Sequence, residues 1–234
     1  MKNILYRLQR IIRLNYNLEI CAFNIKNCTD ISKFDINRIE LCTNKEKGGL
    51  TPSKNSIIKS LKLNIPIHPI IRPRGGNFLY NKAEFKQMIE SIKFCKDIGC
   101  HGVVFGILDK KNKVNIEMCK KLKTLCGNMS TTFHRAFDKT SKPFDALESI
   151  IDLKFDRILT SGQKENAEEG IKLIIQLAER SKNRISIMPG SGIRSSNINL
   201  FLKHKNINEI HTSSYSDDKF STDELKKIIK KITQ

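Results

Sequence analysis

The sequence has no tryptophan, no Cys-x-x-Cys pair, and no apolar run near the roughly 20 residues that a membrane-spanning helix requires. Its seven cysteines are odd in number and irregularly spaced, which argues against a disulfide scaffold in a chain of 234 residues. We therefore expect a cytoplasmic protein in a reducing compartment, with no membrane partner.

Acidic residues are also scarce, because 24 Asp and Glu face 42 Lys and Arg and the formal net charge is +18. A charge of this size can indicate a nucleic-acid partner. However, lysine outnumbers arginine, and the lysines are scattered through predicted helices without interleaved aromatic residues. We therefore expect a solvated basic surface and no nucleic-acid partner.

The chain begins with a basic segment and then keeps one composition to its end. Residues 1–16 carry four basic residues and no acid, and we interpret them as a short helical extension. No repeat, linker or shift in composition interrupts residues 17–234. We therefore predict one domain over 17–234.

Short β-rich runs alternate with longer amphipathic runs along this domain. Eight such units in a chain of this length predict an α/β fold, a single (β/α)8 TIM-type barrel, with a doubly wound open sheet as the alternative. Among the intervening helices we predict 82–97, 165–181 and a short one within 23–37. The predicted strands are 18–22, 38–42, 65–72, 102–108, 130–135, 156–161, 184–190 and 209–214.

Side chains alternate across a strand, so the apolar residues mark the face that meets the helices. Leu18 and Ile20 then point outward, and Glu19 and Cys21 point into the barrel. Buried charges must pair or face water, and we expect Glu19 and Glu40 to pair with Arg72. Either a functional pocket or a purely structural ionic network fits this pattern. The inward set also includes Arg38, Cys42, His68, Ile70, His134, His211 and Ser213.

Two loops are expected to complete a site at the carboxyl ends of the strands, where barrel enzymes place their chemistry. Arg74 follows the third strand beside a glycine pair, and we expect it to reach across the mouth. The turn containing Gly190 and Gly192 follows the seventh strand, before a helix predicted to be capped by Ser195 or Ser196. Backbone amides in such a turn can bind an anion.

Cys21 and Cys42 are predicted to point inward on neighbouring strands, which lie about 4.8 Å apart. Two thiols at matching height could share a soft ion such as Cu(I) or Zn(II), with His68 or His211 as a further ligand. The alternative is that both cysteines act as small apolar core residues.

Several long motifs in order resemble the CutC family, including "RIELCTNKEKGGLTPS", "IPIHPIIRPRGGNFLY", "TTFHRAFD" and "IMPGSGI". The resemblance covers nearly the whole chain after the extension. It implies a TIM-type barrel, a cytoplasmic homodimer, and a role in copper homeostasis with Cys21 and Cys42 as Cu(I) ligands. The family's polar pocket corresponds here to Glu19, Glu40, His68, Arg72, Arg74, His134, Arg135, Asp138 and His211.

Three functions remain open at this point. The first is a protein that binds Cu(I) through the two cysteines. The second is an enzyme acting on a small phosphorylated or carboxylated metabolite, with Arg72 and Arg74 holding the anion and His134 and Glu40 as acid and base. The third is an interaction protein with a vestigial pocket, a reading favoured by the short segment after "HTSS", which is longer in relatives.

Overall fold

The computed structural model describes residues 16–216 and 219–233, so the predicted basic extension lies outside the described residues except for its last position. All eight predicted strands are present. The third is shorter than predicted because Pro66 and Pro69 have no amide hydrogen to donate. The strands are β1 Asn17–Ala22, β2 Arg38–Leu41, β3 Ile67–Pro69, β4 Gly102–Phe105, β5 Ser130–Phe133, β6 Arg157–Thr160, β7 Ser186–Pro189 and β8 Glu209–Thr212.

These strands pair in parallel in two groups of four, in the orders β3-β2-β1-β8 and β4-β5-β6-β7. A parallel bridge between Ile70 and Val104 joins the first group to the second. At the other seam β7 lies beside β8. The two groups therefore close into one ring, and the predicted (β/α)8 barrel is confirmed.

Helices follow the strands and cover the outside of the barrel. The helix predicted over 82–97 and the short one within 23–37 are confirmed, whereas the helix predicted from 165 begins only at Ile171. The helices are α1 Ile25–Ile31, α2 Lys54–Ser60, α3 Lys82–Asp97, α4 Ile116–Cys126, α5 Pro143–Asp152, α6 Ile171–Ser181, α7 Asn199–Leu202 and α8 Thr222–Ile232.

The shorter elements lie between these helices and strands. Short 3-10 helices span Lys45–Lys47 and Arg135–Lys139, and a hairpin pairs β9 Tyr215–Ser216 with β10 Lys219–Phe220. The prediction that Ser195 or Ser196 caps the helix after the glycine-rich turn is wrong. That helix, α7, has Ile198 at its N-cap, and Ser195 donates from its backbone and hydroxyl to Glu224 instead.

Local sequence explains where the longer helices begin and which face they bury. Asn81 and Glu84 form a reciprocal capping box at the start of α3. Ser221 caps α8, whose apolar face of Leu225 and Ile228 is buried against the barrel. Within the described part of the chain, no helix combines the length and apolar character needed to cross a membrane.

The main apolar core lies between the strands and the helices. Leu18, Ile20 and Ile39 are fully buried in it, as the alternation of side chains predicts. The barrel interior contains a separate small apolar cluster, made of Cys21, Cys42, Ile70 and Val104 with Phe23 packed against it. Apart from Leu159 and Met188, the other buried side chains that the strands point inward are mostly polar or charged.

Candidate functional site: a thiol-bearing cavity at the barrel mouth

An ionic network fills the barrel near the amino ends of the strands. Arg38 donates through Nε to Glu19 Oε2 at 2.5 Å and through Nη2 to Glu209. Arg157 Nε donates to the same Glu209 carboxylate at 3.2 Å. The expected pairing of Glu19 with Arg72 is therefore wrong, and so is that of Glu40, whose carboxylate lies beside His211. Register explains this, because Glu19 and Arg38 are direct partners across β1 and β2.

This network continues upward through His211. Its Nδ1 lies 2.6 Å from Glu19 Oε1, and its Nε2 lies 3.7 Å from Glu40 Oε2. Burial opposes ionisation of Glu19, but the Arg38 charge and the His211 hydrogen bond hold its pKa well below its usual range. Burial likewise opposes protonation of His211, yet hydrogen bonds to Cys21 and Glu19 raise its pKa well above the usual value. Glu19 and His211 therefore form an ion pair.

Two thiols lie directly above this pair. Cys21 Sγ and Cys42 Sγ are 3.6 Å apart, and both side chains are buried. The hydrogen bond with Cys42 lowers the pKa of Cys21 to about 6, against the opposing effect of burial and with support from His211. Burial, together with the hydrogen bond to Cys21, raises the pKa of Cys42 well above its usual value. At neutral pH the pair therefore holds one thiolate and one thiol.

Glu40 completes this cluster. Its carboxylate oxygen and the two sulfur atoms all lie within 4.8 Å of one another. Burial, followed by the negative charge on Cys21, raises the pKa of Glu40 well above the usual value. The two carboxyl groups of the site therefore differ in protonation, because Glu19 is ionised and Glu40 keeps its proton.

We expect the Cys21 thiolate to be visible in an ultraviolet absorbance titration, with a midpoint near pH 6 in the difference between wild type and Cys21→Ser. Cys42→Ala removes the largest stabilising contact and should move this midpoint upward, toward the 9.0 of an unperturbed thiol. Cys119→Ala, at a buried thiol in α4, serves as the matched control. An unchanged midpoint in Cys42→Ala would contradict this account of the thiolate.

The thiols open into a cavity of about 190 Å³ at the carboxyl ends of the strands. Of the predicted site residues, nine line it: Cys21, Glu40, Cys42, Arg72, His134, Arg135, Gly192, His211 and Ser213. Ser191, in the predicted anion-binding turn, also lines the cavity. The sequence analysis assigned no site role to seven further lining residues, Phe23, Lys45, Gly48, Phe78, Leu159, Arg194 and Thr212. All seven lie at strand ends or in the loops after strands, and this placement could have indicated them.

Five predicted site residues lie outside this lining. Glu19 belongs to the network below, and Asp138 accepts hydrogen bonds from Thr160, Ser161, Gln163 and Arg135. Arg74 does not reach across the mouth, because its Nε donates to Glu84 Oε1 at 2.6 Å and its other groups hold nearby carbonyls. The other two are His68 and Gly190.

Glycines make room for the histidines of the barrel interior. A Cβ on Gly102 would lie 2.6 Å from the ring of His68, and one on Gly106 would lie 2.8 Å from Nδ1 of His134. A Cβ on Gly190 would lie 2.5 Å from Leu159 Cδ1 and 3.1 Å from the His211 ring. The lack of a side chain at Gly190 therefore leaves room for both of these residues beside the cavity.

Comparisons with known proteins agree with this architecture. Residues 16–216 match the model of the CutC family. The chain is 44% identical to a family protein CutC of Parabacteroides distasonis, over 85% of this chain and 83% of that protein. It is 42% identical to one of Enterobacter sp., over 84% and 79% of the two chains.

Solved structures give the same result. A copper homeostasis protein CutC of Streptococcus agalactiae superposes with a TM-score of 0.80 at 33% identity, covering 85% of this chain and 98% of that one. An aldolase with a TM-score of 0.65 is only 12% identical and shows the fold alone. The protein is thus a (β/α)8 barrel with a buried thiol pair at its mouth. It belongs to the CutC family.

Proposed function

We propose that this protein serves copper homeostasis by holding Cu(I) between Cys21 and Cys42 in the cavity at the barrel mouth. The observation that carries the proposal is the pair of sulfur atoms 3.6 Å apart, one of them with a pKa of about 6. The Streptococcus agalactiae relative, which is named for copper homeostasis, supports the same assignment.

The chemistry of the donor atoms fits this ion. Soft thiolates select Cu(I), and metal binding requires that the thiols lose their protons. Cys21 is already largely ionised at neutral pH, and a bound cation would favour loss of the second proton from Cys42. Glu40 and His211 lie beside the sulfur atoms and can donate hydrogen bonds to Cys21. Since both already carry a proton, the one released from Cys42 leaves to solvent through the cavity.

We further propose a cytoplasmic location and a homodimer. All seven cysteines are free and buried, which suits a reducing compartment. The dimer assignment is supported by the family resemblance of the sequence, and sedimentation of the purified protein tests it directly.

The proposed copper site predicts that Cys21→Ser/Cys42→Ser weakens Cu(I) binding by more than about a hundredfold, because loss of a group that only hydrogen-bonds to a metal ligand already costs about 10–100-fold in affinity. The measurement is an anaerobic Cu(I) titration against a competing chelator. Cys119→Ser is the matched control, since Cys119 is a buried thiol whose Sγ lies 3.8 Å from the Ile107 carbonyl, away from the cavity. Equal affinity in wild type and the double variant would refute the proposal.

A further inference from the structure

We infer that the cavity also contains a binding site for an oxyanion, a phosphate or carboxylate group of a small molecule, formed by Arg72, His134, Arg194 and the turn at Ser191 and Gly192. This inference goes beyond the copper proposal, because it concerns other residues of the same cavity and none of the thiols. It assigns the cavity a small-molecule ligand.

Arg72 is the first observation that carries it. Its side chain is about nine-tenths buried, with 7% of its surface exposed. Within the described part of the chain its guanidinium donates to backbone carbonyls, those of Lys47, Gly48 and Gly49 through Nη1 and that of Gly76 through Nη2. Nε–H makes no hydrogen bond there, and the nearby Tyr80 hydroxyl is also without one. These carbonyls fix the position of Arg72 but leave its positive charge without a carboxylate.

His134 supplies a second unpartnered donor. Its Nδ1 accepts a hydrogen bond from the Ala136 amide at 3.2 Å, so the neutral ring carries its proton on Nε2. Nε2 is buried and makes no hydrogen bond to any described residue. The Phe78 ring contacts both groups, with its centroid 5.0 Å from the His134 ring and 4.8 Å from the Arg72 guanidinium carbon. Phe78 thus holds the two donors on one wall of the cavity.

The loop after β7 brings further donors to the rim of the cavity. The amides of Ser191 and Gly192, at φ of 80° and 74°, donate no hydrogen bond to any residue the structure describes. Arg194 donates through Nη1 to the Ile193 carbonyl and pairs with no carboxylate in that part of the chain. Successive free amides in a turn form an anion-binding concavity, and barrels often bind phosphate after their seventh and eighth strands.

The charge of the lining selects the class of ligand. Among the lining residues that the structure describes, Lys45, Arg72, Arg135 and Arg194 are basic, whereas Glu40 is the one acid. Arg135 is paired with Asp138 and the Lys45 ammonium lies over the Tyr215 ring, which leaves Arg72 and Arg194 to attract an anion. Guanidinium groups suit planar carboxylates and phosphates, and a buried site strengthens such hydrogen bonds. A cationic or purely apolar ligand would leave both donors unsatisfied.

The test is calorimetric titration of the metal-free protein with inorganic phosphate and, separately, with acetate at constant ionic strength. We expect saturable binding of at least one probe, weakened about tenfold or more by Arg194→Gln and by Arg72→Gln. The stronger probe distinguishes a phosphate ligand from a carboxylate ligand. Arg180→Gln is the matched control, because Arg180 is an exposed arginine that contacts Glu148 on the surface.

Two outcomes would overturn the inference. One is the lack of saturable binding of either probe to wild type. The other is an equal loss in Arg194→Gln and Arg180→Gln, which would assign the binding to the general positive charge of the surface. The Arg194 side chain makes one hydrogen bond, to the Ile193 carbonyl, so we expect Arg194→Gln to fold. This variant tests the inference even where Arg72→Gln does not fold. The phosphate and acetate titrations contain no Cu(I), and the Cu(I) titration contains neither anion. Failure of anion binding is therefore distinguished from failure of Cu(I) binding.

Discussion

Replacing Arg38 with methionine is expected to lower the free energy of unfolding by about 3–5 kcal/mol at neutral pH. Arg38 is buried between Glu19 and Glu209 and donates to both. Its loss leaves Glu19, which is fully buried, with His211 as its partner. Urea denaturation measures the effect, and a matched change at the exposed Arg180, paired with Glu148, should cost less than about 1 kcal/mol.

The pH dependence identifies the cause of this loss. In wild type the pKa of Glu19 is lowered, so its contribution to stability is present above the unfolded value of 4.5 and is lost on acidification. Without Arg38 the largest interaction that opposes burial is gone, so the pKa of Glu19 rises and the variant loses less stability than wild type on acidification. The deficit should therefore shrink as the pH falls below the unfolded value of 4.5.

A second variant separates charge from packing. Arg38→Met/Glu19→Gln removes the charge that Arg38→Met leaves behind, and we expect it to recover part of the lost stability. A deficit that neither depends on pH nor recovers in the double variant would show that Arg38 stabilises the barrel by packing alone. The same network holds His211 beside Cys21, so we also expect Arg38→Met to raise the pKa of Cys21.

Gly170→Ala is expected to destabilise the protein by at least about 3 kcal/mol, at the upper end of overpacking costs, which corresponds to a fall in Tm of roughly 6–12 °C. A Cβ at this position would lie 1.8 Å from the Ser161 carbonyl oxygen. That atom belongs to the backbone, so no side-chain rotation relieves the clash. On the facing segment, Gly162 has a φ of 68° and would place its own Cβ 2.2 Å from the Gly170 carbonyl oxygen.

The effect should extend to the cavity. Ser161 donates from its amide and its hydroxyl to Asp138, and Asp138 pairs with the lining residue Arg135. Thermal unfolding and phosphate titration of the same variant measure the two consequences. Gly75→Ala is the control, since a Cβ there would lie 3.3 Å from Lys47 Cβ and 3.6 Å from the Lys47 carbonyl oxygen, contacts that a small shift relieves. Equal Tm values for the two variants would refute the argument.

The alternation of apolar and polar residues predicted the eight strands and which side chains point inward. Leu18 and Ile20 are fully buried against the helices, and Glu19 and Cys21 face the interior. This succeeded because the alternation of faces is a local property of each strand. The pairing of Cys21 with Cys42 followed for a related reason, since consecutive strands of a barrel are neighbours.

The ion-pair partners of the charged side chains lie on other segments of the chain. The alternation of side chains along a single strand therefore did not predict them. Glu19 was expected to pair with Arg72, but the register between β1 and β2 places Arg38 opposite it. Arg74 was assigned to the mouth, but Glu84 lies within 2.6 Å of its Nε at the start of α3. Arg194 received no assignment because its place in the lining depends on the path of the loop after β7.

Sequence by itself therefore determined the barrel, the inward face of each strand and the neighbouring thiols, because these depend on spacing along a strand and on the order of strands. Tertiary structure alone decided which cation meets Glu19, which arginines face the cavity, and that Cys21 has a pKa of about 6. These depend on distances of a few ångströms between segments far apart in the chain. Electrostatic interactions in a buried site change steeply over such distances.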